Sequence, residues 1–124
     1  MQSLIIKKTE ETPAIILNPE KKVFQFVATS WPENAKLFYE PVLKWIDDYF
    51  KNSPLDESVF QFRYGYFNTS SAKQIAKILS LLKEHSSKHS VKIQWFFEKD
   101  DFDMEKEGRR FEAILKLDFD FVEK

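Results

Sequence analysis

Near the middle of this 124-residue chain, an alternating aromatic segment runs directly into a helical apolar pattern. Alternation places every second side chain on one face of a strand, and that face carries Phe60, Phe62, Tyr64 and Tyr66. Apolar residues then recur at the spacing of one helix face, at Ile75, Ile78, Leu79 and Leu82. A strand that passes into an amphipathic helix is typical of one sheet layer with helices packed against it. We therefore predict an α/β or α+β fold.

The remaining pattern extends this prediction over the whole chain. Further strands are predicted at residues 14–17, 23–27 and 91–97, and a closing strand carries Leu115, Leu117, Phe119 and Phe121. Helical spacing predicts a first helix with an aromatic stripe at Phe38, Val42, Trp45, Ile46 and Tyr49, in which Pro41 either kinks the helix or marks its first main turn. A second helix is predicted at about residues 70–85 and a short charged one at 101–110. No repeat or linker occurs, so we predict one domain over residues 1–124.

Composition narrows the possible functions. Lys and Arg number 19 against 20 Asp and Glu, a balance that offers no electrostatic attraction for nucleic acid or for an anionic membrane. Cysteine is absent, and the apolar run at residues 4–6 is too short for a signal peptide or a membrane span, so we expect a cytoplasmic protein. The two glycines are far apart, which excludes the usual nucleotide-binding loops, and we expect no cofactor.

Three candidate motifs, for zinc, for calcium and for a serine nucleophile, lack residues that the chemistry requires. His85 and His89 are four residues apart, but Ser86 stands where a zinc hydrolase motif needs Glu, and no third ligand is nearby. The acidic run beginning at Asp103 imitates a calcium loop, yet Ile114 occupies the closing Glu position. No GxSxG nucleophile motif is present. We therefore predict no metal site and no catalysis.

RNA binding is a further alternative, because residues 62–67 resemble the aromatic strand of RNA-recognition modules. The segment lacks a glycine directly after its basic residue, Arg63, and the neutral net charge weakens the phosphate attraction on which such binding depends. Rings that face a protein core explain the pattern better. Exposure of the rings on this strand decides between the two interpretations.

A cluster of hydroxyl groups follows the aromatic strand. Thr69, Ser70 and Ser71 come directly after Asn68, at the predicted start of the second helix. Such residues cap the free N–H groups of a first helical turn, and Ser71 with Gln74 fits a capping box. The same position also tolerates an added phosphate, because a helix N-terminus favours an anion. The cluster is therefore either a cap or a phosphorylation switch.

Several short motifs occur in an order that resembles the SiaC family of bacterial regulatory phosphoproteins. The resemblance covers residues 12–111 and includes the following elements: Thr12-Pro13-Ala14-Ile15, Ser30-Trp31-Pro32-Glu33-Asn34, a first helix with Trp45, Asn68-Thr69-Ser70-Ser71 with Lys73, Trp95-Phe96-Phe97-Glu98, and the acidic segment 100–108 that leads to Phe111.

The resemblance implies a fold similar to STAS domains, with a small mixed sheet and helices mainly on one face. It also implies a non-catalytic switch, in which a dedicated kinase phosphorylates Thr69 and a PP2C-type phosphatase removes the phosphate. The unphosphorylated form would bind and regulate a target, which in this family can be a diguanylate cyclase. Ser70 and Ser71 are alternative acceptors, and the implied partner surface comprises Asn68, Ser70, Ser71 and Lys73.

Two departures from the family pattern bear on the partner surface. Trp31 stands where the family often has Tyr, and Arg109-Arg110 stands where it is often acidic. One further interpretation stays open, namely a constitutive protein-interaction domain of the same fold in which Thr69 only caps the helix.

Overall fold

A computed structural model describes all 124 residues, which form one six-stranded sheet and three helices. The strands are β1 (Leu4–Ile6), β2 (Ala14–Asn18), β3 (Val23–Ser30), β4 (Glu57–Phe67), β5 (Ser90–Phe97) and β6 (Asp120–Glu123). The helices are α1 (Ala35–Lys51), α2 (Thr69–His85) and α3 (Phe102–Leu115). Helix α1 runs through Pro41 without ending there. None of the three helices combines the length and apolar character that crossing a membrane would require.

The strands lie in the sheet in the same order as in the chain. The first three strands pair antiparallel, whereas β3 to β6 are parallel neighbours, each pair joined by a helix. Each crossover moves one strand further in the same direction, and parallel crossovers share one hand, so all three helices pack on one face, where they contribute to a single core. The sequence prediction of a mixed α/β sheet with helices on one face is confirmed.

Aromatic side chains from the sheet and the helices form the core between the two layers. The rings of Phe26 and Phe62 stack with centroids 4.7 Å apart on neighbouring strands, and the ring of Trp95 follows at 5.8 Å from that of Phe62. Helix α1 adds Trp45 and Tyr49 to this layer. Because large rings from three adjacent strands and one helix interlock, the sheet and its helices form one rigid unit.

The prediction that Tyr66 shares the core face with Phe60, Phe62 and Tyr64 is wrong. Tyr64 pairs with Ala28 but Tyr66 pairs with Thr29, so Gly65 is an extra residue that forms a β-bulge in β4. A bulge shifts the alternation by one position. The Tyr66 side chain is consequently 55% exposed, and Phe67 turns into the core in its place.

The predicted closing strand and the predicted short helix are also misplaced. Leu115 is the last residue of α3, and strand β6 begins only at Asp120. Lys116 ends the helix in the left-handed conformation, with φ of 54°. The apolar alternation of residues 115–121 therefore spans a helix end, a loop and a strand, three structures that alternation alone does not distinguish.

Candidate functional site

Helix α2 is capped by Asn68. Its side-chain Oδ1 accepts a hydrogen bond of 2.9 Å from the backbone N–H of Ser71, and its own backbone N–H donates to the Ser30 carbonyl at 3.0 Å. The expected capping box starting at Ser71 is wrong, because Ser71 is the third helical residue and donates to the cap. Asn68 therefore fixes the helix start to the end of β3, and none of the three following hydroxyls is needed as a cap.

The three hydroxyl residues occupy different environments. Thr69 and Ser70 are exposed at the first two positions of α2, whereas Ser71 has 0% of its surface exposed. Lys73, one turn after Thr69, is also exposed. A kinase or a partner surface can reach the first two hydroxyls directly. Ser71 is enclosed by protein, so in this conformation it contacts neither.

Four buried hydroxyls connect the first turn of α2 to the core. Ser30 Oγ donates to Ser71 Oγ at 2.8 Å, Ser30 Oγ and Tyr39 Oη are 2.6 Å apart, and Tyr39 Oη and Tyr64 Oη are 3.0 Å apart. Because each hydroxyl has a single proton, the first bond fixes the others: Tyr64 donates to Tyr39, and Tyr39 donates to Ser30. Strands β3 and β4 and helix α1 thus converge on Ser71.

The two tyrosines of this chain remain protonated donors. Burial raises the pKa of Tyr39, and burial raises that of Tyr64 well above its ordinary value. A deprotonated phenol could not donate, and the raised pKa values mean that both phenols stay protonated at neutral pH and into alkaline solution. The start of α2 is consequently held by a buried polar network in addition to its cap.

The β4 bulge lies at the same end of the sheet. Opposite Gly65, Ala28 adopts φ of 84°, a conformation that L-residues rarely occupy. The bulge turns Tyr66 outward two residues before Asn68. Trp31, which follows Ser30, and Phe102, the first residue of α3, are exposed at the same end of the sheet. Large exposed aromatic side chains are enriched at protein interfaces.

A cavity of about 330 Å³ opens between α2 and α3, beside Thr69. Ala72 and Ala76 on α2 and Phe111 on α3 give it an apolar floor. Charged side chains reach it from both helices: Lys73, Glu107 and Arg110. The sequence did not indicate that Arg110 and Thr69 line one cavity, because 41 positions separate them and no periodicity relates the two helices.

The histidine pair has a packing role. His85 Nε2 lies 2.9 Å from Asp47 Oδ1, and the His85 ring stacks on Phe50 with centroids 4.8 Å apart. The hydrogen bond from Lys51, followed by that from His85, lowers the pKa of Asp47. His89 also lies against Phe50, and no group of three potential metal ligands exists in the structure.

An exposed hydroxyl at a helix start that is bonded into the core, with exposed aromatic side chains beside it on a one-layer mixed sheet, forms a surface suited to protein contacts. The sequence profile of the SiaC family of regulatory phosphoproteins matches residues 6–124. The chain belongs to the SiaC family.

Related proteins share both sequence and fold with this chain. An uncharacterised protein of Pseudomonas aeruginosa (strain UCBPP-PA14) is 30% identical over 99% of this chain and 90% of its own length. Apo-SiaC of Pseudomonas aeruginosa superposes with a TM-score of 0.85 at 26% identity, covering 100% of this chain and 99% of that chain. SiaC in the crystal structure of its complex with the diguanylate cyclase SiaD, of which it is the activator, also gives a TM-score of 0.85 at 26% identity, with 97% of each chain covered.

Proposed function

We propose that this protein is a non-catalytic switch that is reversibly phosphorylated on Thr69 and regulates a partner when unphosphorylated. The observation that carries the proposal is the Thr69 side chain itself, which is exposed at the first position of a helix whose start is otherwise bonded into the core. A kinase needs a reachable hydroxyl, and a switch needs a modified group that stays where it is placed. Thr69 meets both requirements.

Ser70 is the alternative acceptor that the geometry favours next. It is exposed on the same turn and takes part in no side-chain hydrogen bond, so modification there would leave the Asn68 cap intact. Ser71 is a poor site for phosphorylation, because its hydroxyl is buried and accepts a hydrogen bond from the Ser30 hydroxyl. A phosphate on Ser71 would require the first turn of α2 to open.

The likeness to SiaC of Pseudomonas aeruginosa, the activator of a diguanylate cyclase, supports a diguanylate cyclase as the regulated target. We expect the partner surface to include Asn68, Thr69, Ser70 and Lys73, with Ser71 acting from below by holding the turn in place. The exposed Trp31 and Tyr66 extend this surface across the adjacent strand ends. A Ser/Thr kinase and a PP2C-type phosphatase would set the phosphorylation level, and we place the system in the cytoplasm, where ATP is available.

Phosphate at Thr69 would change the surface and leave the fold in place. The group adds about −1.5 to −2 charges, and the first turn of α2 contains no acidic side chain to repel it. A partner docked over this turn would have to desolvate a dianion or leave. A single change of this kind removes roughly 2–5 kcal/mol of binding free energy, which is enough to dissociate a micromolar complex.

The two groups whose pKa values burial raises, Tyr39 and Tyr64, are bonded to each other in the interior, and neither lines the α2–α3 cavity beside Thr69. A general acid or base must be able to reach its substrate. The buried tyrosines are thus out of reach of a substrate, whereas Thr69 is exposed and can itself be modified.

RNA binding by β4 is the weaker alternative. Phe60, Phe62 and Tyr64 have at most 3% of their surface exposed, so they cannot stack on bases. Tyr66 is 55% exposed, but a single ring does not form the platform of two or three aromatic side chains that RNA-recognition modules use. The guanidinium of Arg63, the basic residue of this segment, lies over the Phe96 ring at 3.8 Å and donates to Gln61 at 3.1 Å. Arg63 is therefore already engaged within the protein.

The other alternative is a constitutive interaction domain, which differs from the switch only in whether Thr69 becomes phosphorylated.

Mass spectrometry of the protein purified from its native host tests this point. We expect a phosphopeptide with the phosphate on Thr69 that disappears after phosphatase treatment, and its loss in a Thr69→Ala strain. The matched Ser70→Ala strain should keep the phosphate. A fully unmodified protein under every growth condition would leave only the constitutive interaction domain, and a phosphate on Ser70 would move the switch by one residue.

A further inference from the structure

The α2–α3 cavity places an unpaired guanidinium opposite Thr69. Arg110, on the α3 wall, and Lys73, on the α2 wall, both line this cavity with Thr69, and neither forms an ion pair. We propose that Arg110, assisted by Lys73, is the intramolecular receptor for a phosphate on Thr69. The proposal rests on the phosphorylation of Thr69 proposed above and adds what the phosphate binds once it is attached.

The neighbouring arginine shows why Arg110 is the receptor. Arg109 has its guanidinium over the Phe121 ring at 3.6 Å and forms ion pairs with Glu105 at 3.8 Å and with Glu112 at 3.6 Å. Its charge is therefore compensated on the far side of α3. Arg110 is exposed on the side that faces α2, where no carboxylate lies within ion-pair distance of it. Two adjacent arginines thus have distinct surroundings.

The charges around the cavity favour a dianion. Lys73 and Arg110 contribute two positive charges and Glu107 contributes one negative charge, which leaves one uncompensated positive charge. Asp101, Asp103 and Lys106 line the next cavity along α3 together with Glu107. A phosphothreonine adds about −1.5 to −2 charges and three acceptor oxygens, and a guanidinium can donate to two of those oxygens at once.

The apolar floor of the α2–α3 cavity would strengthen the attraction between Arg110 and a phosphate on Thr69. Ala72 and Ala76 are small enough to leave room for a long side chain, and the Phe111 ring excludes water from below. Opposite charges attract more strongly beside an apolar wall than in open solvent. A guanidinium that reaches the phosphate would lie across this floor and cover it. Phosphorylation would then both add charge at Thr69 and close the groove between α2 and α3.

Phosphothreonine installed at position 69 during translation provides the probe. We would measure the second pKa of its phosphate by 31P NMR in the wild-type, Arg110→Gln and Arg109→Gln backgrounds. The phosphate pKa should be lower in the wild type than in Arg110→Gln, because a nearby cation stabilises the dianion. Arg109→Gln should match the wild type, and high salt should reduce the difference. Phosphorylation should also shift the Nε–H resonance of Arg110 and not that of Arg109.

A fourth background, Lys73→Gln, tests the assisting cation. Three results would overturn the proposal: the same phosphate pKa in the wild type, Arg110→Gln and Arg109→Gln, an equal rise in Arg109→Gln, or a rise in Lys73→Gln with none in Arg110→Gln. Arg110 is exposed and makes no ion pair, so its replacement should not disturb folding. Because the phosphate is installed without a kinase, this experiment is independent of whether a kinase modifies Thr69 in cells. Absence of cellular phosphate would contradict the proposed function alone, and equal pKa values would contradict the role of Arg110 alone.

Discussion

Helices α2 and α3 begin at the ends of neighbouring parallel strands, and their first turns differ in charge. Each is capped by a side chain that accepts from the third helical N–H, Asn68 from Ser71 at 2.9 Å and Asp101 from Met104 at 3.0 Å. The α3 turn also carries Asp103 and Glu105, whereas the α2 turn carries hydroxyls and no acid. The positive end of the α3 dipole is already compensated. That of α2 has no acidic side chain in its first turn to compensate it.

The two junctions also differ in how they are anchored. Helix α3 packs directly on the sheet: Trp95 Nε1 donates to the Met104 carbonyl at 3.0 Å, and Gly108 lies against the Trp95 ring. Helix α2 is held at its start by the Ser30–Tyr39–Tyr64 hydroxyls instead. Helix α3 is fixed by one hydrogen bond from Trp95 near its start and by close packing at Gly108 in its middle, whereas the start of α2 is fixed by buried hydroxyls, so each can be disrupted separately.

Gly108→Ala should give the largest loss of stability. A Cβ at this position would lie 2.5 Å from two Trp95 ring atoms and 2.8 Å from the Phe121 ring, and the Trp95 ring is fully buried. Overpacking of this kind costs about 3 kcal/mol, more than the helix propensity that alanine adds. Urea denaturation measures the change. Gly65→Ala is the matched control, because nothing lies within 4 Å of its Cβ. Equal stability of the two variants would show that α3 is free to move away from the sheet.

Tyr39→Phe should destabilise the α2 junction by about 2 kcal/mol, because it leaves the Tyr64 hydroxyl without an acceptor and Ser30 without a donor in the interior. Hydrogen exchange should show the first turn of α2 opening more often while α3 is unaffected. Tyr66→Phe removes an exposed hydroxyl and serves as the control, with a change within about 0.5 kcal/mol. Unchanged exchange in α2 would mean that the network does not hold this helix.

Asn68→Ala should cost about 1 kcal/mol, the usual value for a lost cap, and Asp101→Ala should cost a similar amount in α3. Thr69→Ala should lie within about 0.5 kcal/mol of the wild type, since Thr69 is exposed and Asn68 provides the cap. Thermal unfolding compares the three variants. A Thr69→Ala protein as unstable as Asn68→Ala would make Thr69 a structural residue and remove the basis for a switch there.

The smallest expected effect is the change in stability when a negative charge is added at the first position of α2 or of α3. Thr69 and Phe102 both occupy the first helical position and are both exposed. Thr69→Asp should raise stability by about 0.3–1 kcal/mol at low salt, whereas Phe102→Asp should gain less, because Asp101 and Asp103 flank the new charge. Adding 1 M salt should remove the difference. Equal gains at both positions would show that the acids of α3 do not compensate its dipole.

The sequence predicted the parts of this structure that follow from local periodicity. The strand–helix order, the α2 span and the position of Thr69 at its start all follow from spacing that one segment contains. Tyr66 was misassigned because a bulge depends on how β3 pairs with β4, and the sequence of β4 alone does not encode that pairing. The prediction of a closing strand from Leu115 failed for a related reason, since an alternating pattern crosses the end of α3.

The anchoring of the site depends on contacts between distant segments. Ser30, Tyr39, Tyr64 and Ser71 come from four different elements, and nothing in their spacing relates them. Ser71 looked equivalent to Thr69 and Ser70 in sequence and is buried in the structure. The opposition of Arg110 to Thr69 likewise arises only when α3 packs beside α2. Sequence located the turn, and three-dimensional packing separates its reachable hydroxyls from its structural one.

The most direct test is a calorimetric titration of the proposed partner, a diguanylate cyclase from the same organism, with three forms of this protein: wild type, Thr69→Ala and phosphothreonine-69. The wild type and Thr69→Ala should bind with similar affinity, and the phosphorylated form should bind at least about tenfold more weakly, a loss of about 1.4 kcal/mol or more. Its thermal midpoint should not fall below that of the wild type, because the start of α2 accommodates the added charge. Equal affinity of all three forms would contradict the switch.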